Sequence, residues 1–389
     1  MRRRLTMKFE DVKKITMIGA GAMGSGIATC GLMAGYTVTL RDIEQRFVDS
    51  GVAGVKSSLA KFKEKGKITP EVHDAALAKL IPIVDLREAI RDADFIIEAV
   101  PEKLEIKQSV MAELDKYSPK HAILASNTSN ISITDIAKAT GRQDKIIGYH
   151  FFNPAVLMKL VEITKGAKTS DESVQIGYEL AKKLKKVPVI VHKDSPGFIF
   201  NRINEPATLL LSLILQDGHP TPEEFDAAMK PAMPMTPFEL MDYVGIDIAY
   251  HSLDYFAKVL SPEYKPSAAM DAMMKAGTLG KKTGKGIYDW SAGRPTIDLA
   301  KATKEYEINH LIALQVNEAT KVLDEGIAES AAEIDLAVGN GGGSPFGPFA
   351  LAQIVGYDVL VEKLEELYKK FKLEVFKPTE LMKKGDIKV

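Results

Sequence analysis

The stretch Lys14-Ile15-Thr16-Met17-Ile18-Gly19-Ala20-Gly21-Ala22-Met23-Gly24 constrains this chain more than any other. Ile15 to Ile18 predicts a strand that is apolar on both faces, as strands inside a parallel sheet are. It runs straight into Gly-x-Gly-x-x-Gly, and Ser25 to Ala34 then has helical composition. In such a turn Gly19 makes the tight bend, Gly21 lets the backbone approach a pyrophosphate, and Gly24 lets helix pack on strand. Ala22 and Met23 complete the loop, so phosphates would meet free N–H groups at a helix N-terminus. A second strand, Tyr36 to Leu40, leads to Asp42, eighteen residues beyond Gly24. A carboxylate at that place accepts hydrogen bonds from an adenosine ribose. The glycines alone would be weak, but strand, turn, helix, strand and acid in order predict a dinucleotide site. Asp42 favours NAD, because a carboxylate repels a 2′-phosphate; Arg41 beside it leaves NADP open.

A length of 389 residues predicts two or three domains. Hydrophobic residues at 46% and charged residues at 26% are ordinary for a protein with a full apolar core. Lys and Arg number 51 against 52 Asp and Glu, so no global field attracts nucleic acid. The single Cys30 excludes an intrachain disulfide and a cysteine-built metal centre. No other ligand cluster is visible, so no metal is expected, and the compartment expected is the reducing cytoplasm. Met1 to Leu5 resembles the start of a signal peptide, but Thr6 to Lys14 is polar where an apolar segment would follow. A few disordered leading residues are expected instead. The densest apolar run, Leu209 to Leu215, is too short to span a membrane.

After Asp42 a helical stretch continues through Leu59 and meets the basic run Lys61 to Lys67. That run is either a solvated helix end or a contact to the phosphates of a large anionic substrate. Ile81 to Val84 predicts a strand, Leu86 to Ala93 a helix, and Asp94 to Val100 a buried strand ending in Pro101-Glu102. Residues at the carboxyl ends of such strands line the ligand crevice, which makes Glu102 and, one turn into the next helix, Lys107 candidates for the cofactor. Ile123 to Asn130 is a strand entering a loop of hydroxyl and amide side chains, which cap the helix near Ile133 or face the crevice. Ile146 to Phe151 delivers His150 into an aromatic turn ending at Pro154, and Lys159 to Ile163 follows at once. If these short strands pair, Glu162 reaches His150 and fixes its tautomer. The pattern alone leaves a structural and a catalytic histidine equally open. The other six histidines have no comparable carboxylate on a neighbouring strand.

Lys186 to Val191 predicts the last strand, and Asp194-Ser195-Pro196-Gly197-Phe198 marks a boundary. Helices are expected over Phe200–Gln216, Thr221–Met229, Pro237–Tyr243 and Ile246–Val259, followed by a basic, glycine-rich structural turn, Gly280 to Trp290. The remainder repeats that helical unit. Asp217-Gly218, Asp226, Pro237-Phe238, Leu240, Gly245 and Asp247 recur as Glu325-Gly326, Asp335, Pro348-Phe349, Leu351, Gly356 and Asp358. Gly339 to Gly343 is expected to be a turn. The fold class is therefore α/β, a doubly wound Rossmann-type sheet over residues 1–195 followed by tandem all-α domains over 196–295 and 296–389.

The segments GAGAMG, EAVPE, SNTS, HFFNP, DSPGFIFNR, PFELMDYVGID and GKKTGKGIYDW resemble, in this order, the L-3-hydroxyacyl-CoA dehydrogenases, including the 3-hydroxybutyryl-CoA enzymes. The likeness covers nearly the whole chain, and the second helical copy resembles the duplicated C-terminal domains of larger members. It implies helical domains like those of 6-phosphogluconate dehydrogenase. It also implies NAD-dependent interconversion of (S)-3-hydroxyacyl-CoA and 3-oxoacyl-CoA, with short acyl chains expected. By the same resemblance His150 is the general base, Glu162 its orienting partner, and Ser129 and Asn201 hold the substrate hydroxyl. Asn153 supports the site, and Ser58 and Lys65 touch the CoA moiety. Gly19, Gly21, Ala22, Met23, Gly24, Asp42, Glu102, Lys107 and Asn127 fall at cofactor positions. Two departures stand out: Asn130 replaces a serine, and Thr236 replaces a glycine, which bears on the shape of the substrate pocket.

A nucleotide-sugar dehydrogenase would need a nucleophilic cysteine, and Cys30 sits in the helix after the glycine turn. A lysine-based hydroxyacid dehydrogenase leaves His150 and Glu162 unexplained. A non-catalytic NAD-binding protein on this fold need not keep Ser129, His150, Glu162 and Asn201 together. A tandem helical copy predicts a monomer with an internal pseudo-dimer, the alternative being a homodimer. An acyl-CoA substrate and an enoyl-CoA hydratase as pathway partner are expected, with no nucleic acid and no membrane.

Overall fold

A computed structural model describes residues 7–388. The disorder expected of the leading residues concerns 1–6, which lie outside the described residues. The chain forms two compact units. The first holds the chain up to Ile199 with Gly326–Glu329 and Leu336–Pro345; the second holds Phe200–Glu325, Ser330–Asp335 and Phe346 onward.

The first unit is built on an eight-stranded sheet ordered β3-β2-β1-β4-β5-β6-β7-β8. The strands are β1 (Lys14–Ile18), β2 (Thr37–Arg41), β3 (Leu80–Ile83), β4 (Phe95–Glu98), β5 (Ile123–Ser126), β6 (Ile146–Phe151), β7 (Leu160–Lys165) and β8 (Val187–Val191). Its helices are α1 (Ala22–Met33), α2 (Gln45–Glu64), α3 (Pro70–Ala78), α4 (Leu86–Ile90), α5 (Leu104–Tyr117), α6 (Ile133–Ala137) and α7 (Asp171–Lys183). Pro82 lies in the edge strand β3, where a missing N–H is tolerated. Strand order reverses between β1 and β4, and ligands of open α/β sheets bind beyond the carboxyl ends of the strands at such a switch point. The pairs from β3 to β6 are parallel, but β6 and β7 are antiparallel. The segment joining them, 152–159, is too short for a crossover and can only turn back.

The second unit is helical: α8 (Phe200–Asp217), α9 (Pro222–Met229), α10 (Pro237–Val244), α11 (Ile246–Val259), α12 (Ala268–Ala276), α13 (Ile308–Asp324), α14 (Ala331–Gly342), α15 (Pro348–Val355), α16 (Tyr357–Phe371) and α17 (Glu380–Lys384). The two copies expected as domains 196–295 and 296–389 share one apolar core. Leu209, Leu210 and Ile214 of α8 join Ala313, Leu314 and Val316 of α13 and Leu360 and Leu364 of α16 in a single cluster. A helix stripe shows that a face is buried, not what buries it; here the two long helices bury each other.

The repeat is visible in a capping device. Asp226 accepts the N–H groups of Phe238 and Glu239, both at 3.0 Å, at the start of α10. Asp335 accepts those of Phe349 and Ala350, both at 2.8 Å, at the start of α15. Burial raises both aspartates above the ordinary carboxyl range despite these bonds. The departure at Thr236 is explained here. Its hydroxyl is fully buried and donates to Asp226 at 2.7 Å, so it serves the cap. The other copy has Gly347, where an added Cβ would lie 2.2 Å from the Asp335 Cα.

Asp242 explains the basic closing turn. It accepts from Ile287, Tyr288 and the Trp290 indole at 2.9, 2.7 and 2.9 Å. The turn expected over Gly339 to Gly343 is corrected. Buried Ile334, Ala337 and Val338 carry α14 through Gly342, and Gly343, with φ of 69°, ends it.

Among the described residues no cation pairs with the buried acid Glu205. Glu205, on α8, is 4% exposed; one oxygen accepts from Ser252 at 2.9 Å and Oε1 has no partner. Desolvation pushes its carboxyl up to about 8. The folded protein therefore keeps a proton that the unfolded chain releases above the ordinary carboxyl range. Stability should fall with rising pH from there to about 8 and then level off. In urea titrations across this window, Glu205→Gln should flatten the decline by up to about 1.4 kcal/mol per pH unit. Parallel pH profiles for wild type and variant would refute this.

Candidate functional site

The glycine turn is shaped for a phosphate ligand. Gly19 has φ of 102°, and a Cβ there would sit 2.6 Å from the Ala99 carbonyl oxygen. A Cβ on Gly24 would lie 1.8 Å from the Gly19 backbone oxygen, so the helix packs this closely only because residue 24 is glycine. Gly21 is different: a Cβ there meets nothing within 4 Å. The space above Gly21 is open, and no side chain caps the α1 end, whose first turn begins with Ala22, Met23 and Gly24. Free N–H groups at an open helix end are what a pyrophosphate requires. Asp42 accepts the Ala20 N–H on one oxygen and the Ile43 N–H on the other, both at 2.7 Å. Each oxygen keeps a lone pair for a ribose hydroxyl. These residues fit NAD.

Beside the turn, buried charges brace the ends of β4 and β5. Glu98 is fully buried and accepts from Val100 N–H at 2.7 Å, Ser126 Oγ at 2.7 Å and Lys107 Nζ at 2.8 Å. The Lys107 ammonium, 1% exposed, also reaches the Val100 carbonyl at 3.3 Å and Glu102 at 3.1 Å. An ammonium has three donors, and all three are engaged. Lys107 therefore acts here as a strut under Glu102, and a direct bond to a cofactor would displace one of these contacts. Glu102 takes Thr128 Oγ1 at 2.5 Å and the Ser129 N–H at 3.0 Å, while its side chain stays 40% exposed. Desolvation alone would raise this carboxyl; the Lys107 charge and the Thr128 and Ser129 bonds hold it below the ordinary value. Glu98 is a site residue that the sequence pattern does not single out. Its signal was an acid closing an apolar strand, nine residues before a lysine.

His150 and Glu162 face each other across β6 and β7 in direct register. The Glu162 carboxylate, 0% exposed, lies 2.8 Å from His150 Nδ1, and its other oxygen accepts the Ile199 N–H at 3.0 Å. The imidazole, 6% exposed, packs against Phe152 at 4.3 Å and Phe198 at 5.9 Å between ring centres. A carboxylate on Nδ1 fixes the proton there and leaves Nε2 as the acceptor. Next along the strand, the Phe151 N–H donates to Asn127 Oδ1 at 2.8 Å, so Asn127 ties the end of β5 to the end of β6.

Ser129 and Asn130 are held by Glu102, and Asn153 is exposed in the turn after β6. Ser58, half-buried, and Lys65, exposed, lie seven residues apart, on one face of α2 and its C-cap. Asn201 is the second residue of α8, two residues beyond Ile199. Another histidine, buried His310, lies 3.0 Å from the exposed carboxylate of Glu366, and both lie on helices rather than strands. Burial lowers His310 below the ordinary histidine value.

Residues 14–195 match the family model described as 3-hydroxyacyl-CoA dehydrogenase, NAD binding domain. The corresponding C-terminal domain model matches twice, over 197–290 and 306–385. The chain belongs to the 3-hydroxyacyl-CoA dehydrogenase family. Within that family, it is 38% identical over 288 residues to the mitochondrial hydroxyacyl-coenzyme A dehydrogenase of Sus scrofa, covering 72% of this chain and 91% of that one. The glyoxysomal fatty acid beta-oxidation multifunctional protein MFP-a of Brassica napus is 35% identical over 94% of this chain, which spans only 54% of that protein. The structure is similar to 3-hydroxybutyryl-CoA dehydrogenase from Escherichia coli K12, with a TM-score of 0.88 and 28% identity over 96% of this chain and 98% of that one.

The open Gly21 position separates cofactor binding from folding. Gly21→Ala should leave the urea midpoint nearly unchanged and weaken NADH binding by roughly tenfold or more, measured by fluorescence titration. Equal affinity in both proteins would show that no pyrophosphate crosses Gly21.

Proposed function

We propose that this protein interconverts (S)-3-hydroxyacyl-CoA and 3-oxoacyl-CoA with NAD, acting on short acyl chains such as 3-hydroxybutyryl-CoA. The observation that carries the reading is the buried His150–Glu162 pair, with Nδ1 bound and Nε2 left to accept. A non-catalytic NAD-binding role would leave that pair without a purpose.

Bound NAD supplies the acceptor for the hydride leaving C3 of the hydroxyacyl group. His150 Nε2 takes the hydroxyl proton, and in reduction returns it. Glu162, shielded from water, stabilises the imidazolium without moving. The Ile199 N–H holds the second carboxylate oxygen, so the acid cannot swing away from the ring. Ser129 and Asn201 hold the substrate hydroxyl in this reading, Asn153 supports the site, and Ser58 and Lys65 take the CoA moiety. Glu102 and Asn127 would hold the cofactor in this reading. Ser129 is set by its bonds to Glu102, which ties the substrate loop to the cofactor side.

The shared helical core supports a monomer in which the two copies pair internally. Arg202 of α8, 3% exposed, reaches buried Glu318 at 2.5 Å and half-exposed Glu325 at 2.9 Å on the second copy, joining the two copies by ion pairs. A light-scattering mass of two chains would favour a homodimer instead. Among the described residues no helix is long and apolar enough to cross a membrane. We retain the cytoplasm as the proposed compartment, and an enoyl-CoA hydratase as the partner acting on the same thioester.

With acetoacetyl-CoA and NADH, followed by NADH absorbance, His150→Ala should lose roughly 10²- to 10⁴-fold in kcat. Glu162→Gln should lose on the order of 10²-fold, and both variants should still bind NADH. Wild-type turnover in His150→Ala would remove the assigned base. NADH binding without turnover of any 3-oxoacyl-CoA by wild type would remove the proposed activity.

A further inference from the structure

Residues 152–159 join the strand of His150 to the strand of Glu162, so their conformation sets how the two side chains meet. The Pro154 carbonyl accepts from Leu157 and Met158 N–H at 2.9 and 3.0 Å, closing a tight turn. Such a turn leaves later carbonyls without partners in its own segment. Two of these, on Ala155 and Met158, are taken by one group, the Lys186 ammonium, at 2.5 and 2.8 Å. Lys186 is 9% exposed and, among the described residues, forms no ion pair; its charge is met by backbone carbonyls. Burying an ammonium is costly unless it is well bonded, so a lysine used only to fill this space would be a poor choice.

The turn also presses on the cofactor side. Ala155 is 2% exposed, and a Cβ added at Gly26 would approach its Cβ to 3.1 Å. Its carbonyl lies 3.5 Å from Cys30 Sγ as well. Gly26 and Cys30 both lie on α1, the helix that opens on the dinucleotide turn. Lys186 itself reaches this place because Lys185, with φ of 60°, turns the chain sharply between α7 and β8. At the other end of the turn, Phe152 stacks against His150.

We propose that Lys186 is a positioning residue for the reaction: it locks the 152–159 turn against α1 and so holds the His150–Glu162 hairpin in a fixed relation to the dinucleotide turn. The inference rests on the activity proposed above. Lys186 contacts neither His150 nor Glu162 directly, and no residue of the glycine turn. Its loss should therefore fall on kcat rather than on binding. A misplacement of an ångström can cost on the order of 10²-fold.

The test is steady-state kinetics with acetoacetyl-CoA and NADH, alongside NADH titration and thermal unfolding, for wild type, Lys186→Met and Lys186→Arg. Lys186→Met should lose roughly 10- to 100-fold in kcat while KM and NADH affinity stay within about twofold. Lys186→Arg, which keeps the charge and the donors, should recover most of that loss. A Lys186→Met protein with wild-type kcat overturns the inference even if it melts earlier, because the lysine would then be structural only. If Lys186→Met does not fold, Gly26→Ala decides: its Cβ pushes Ala155 from the other side. A fall in kcat with NADH binding kept supports the inference, and unchanged kcat overturns it. Absence of turnover in wild type would instead sink the activity on which it rests.

Discussion

A carboxylate with no exposure to water must be compensated by what surrounds it, and both oxygens of Glu162 are engaged. One oxygen holds His150 Nδ1 and the other holds the Ile199 N–H. The first bond requires β6 and β7 to pair antiparallel in one register, because a slip of one residue would send Glu162 to the opposite face. The second requires the chain leaving β8 to return to the sheet before α8 begins. Sheet order, hairpin register and the course of the 192–199 segment are thus linked through one buried charge.

The same principle recurs along the carboxyl edge of the sheet. Glu98, Lys107 and Glu102 form a chain of buried or partly buried ions that fixes the loop carrying Ser129. Asn127 clamps the end of β6 by its bond to Phe151. Lys186 closes the turn beyond it. None of these bonds is by itself a large contribution to stability. Their use is geometric: each removes a way for the loops around His150 and the glycine turn to drift apart, and reaction rates are sensitive to such drift.

Much of this was legible in the sequence because backbone constraints leave local marks. Gly19 and Gly24 have to be glycine for steric reasons, and their spacing between a strand and a helix reveals them. Two consecutive short strands made a His150–Glu162 pairing conceivable, and the direct register of β6 and β7 provides it. The bracing side chains left no such mark. Glu98 reads as an ordinary strand end, and Lys107 reads as a candidate cofactor contact, with nothing in the sequence to show the three acceptors around it. In the helical region, periodicity gave the helices and their repeat, but it could not show that both copies empty into one core. Gly339 to Gly343 misled because composition suggested a turn where buried Ile334, Ala337 and Val338 sustain a helix.

The central claim is that Glu162 sets the tautomer of His150, so that Nε2 is the atom that exchanges a proton with substrate. The most direct measurement is a long-range ¹⁵N–¹H correlation spectrum of the His150 imidazole in the NAD-bound protein, assigned with His150→Ala. The account predicts a neutral ring protonated on Nδ1, shifting toward the other tautomer in Glu162→Gln. A wild-type ring protonated on Nε2 would contradict it, because the base would then present a proton where it must accept one.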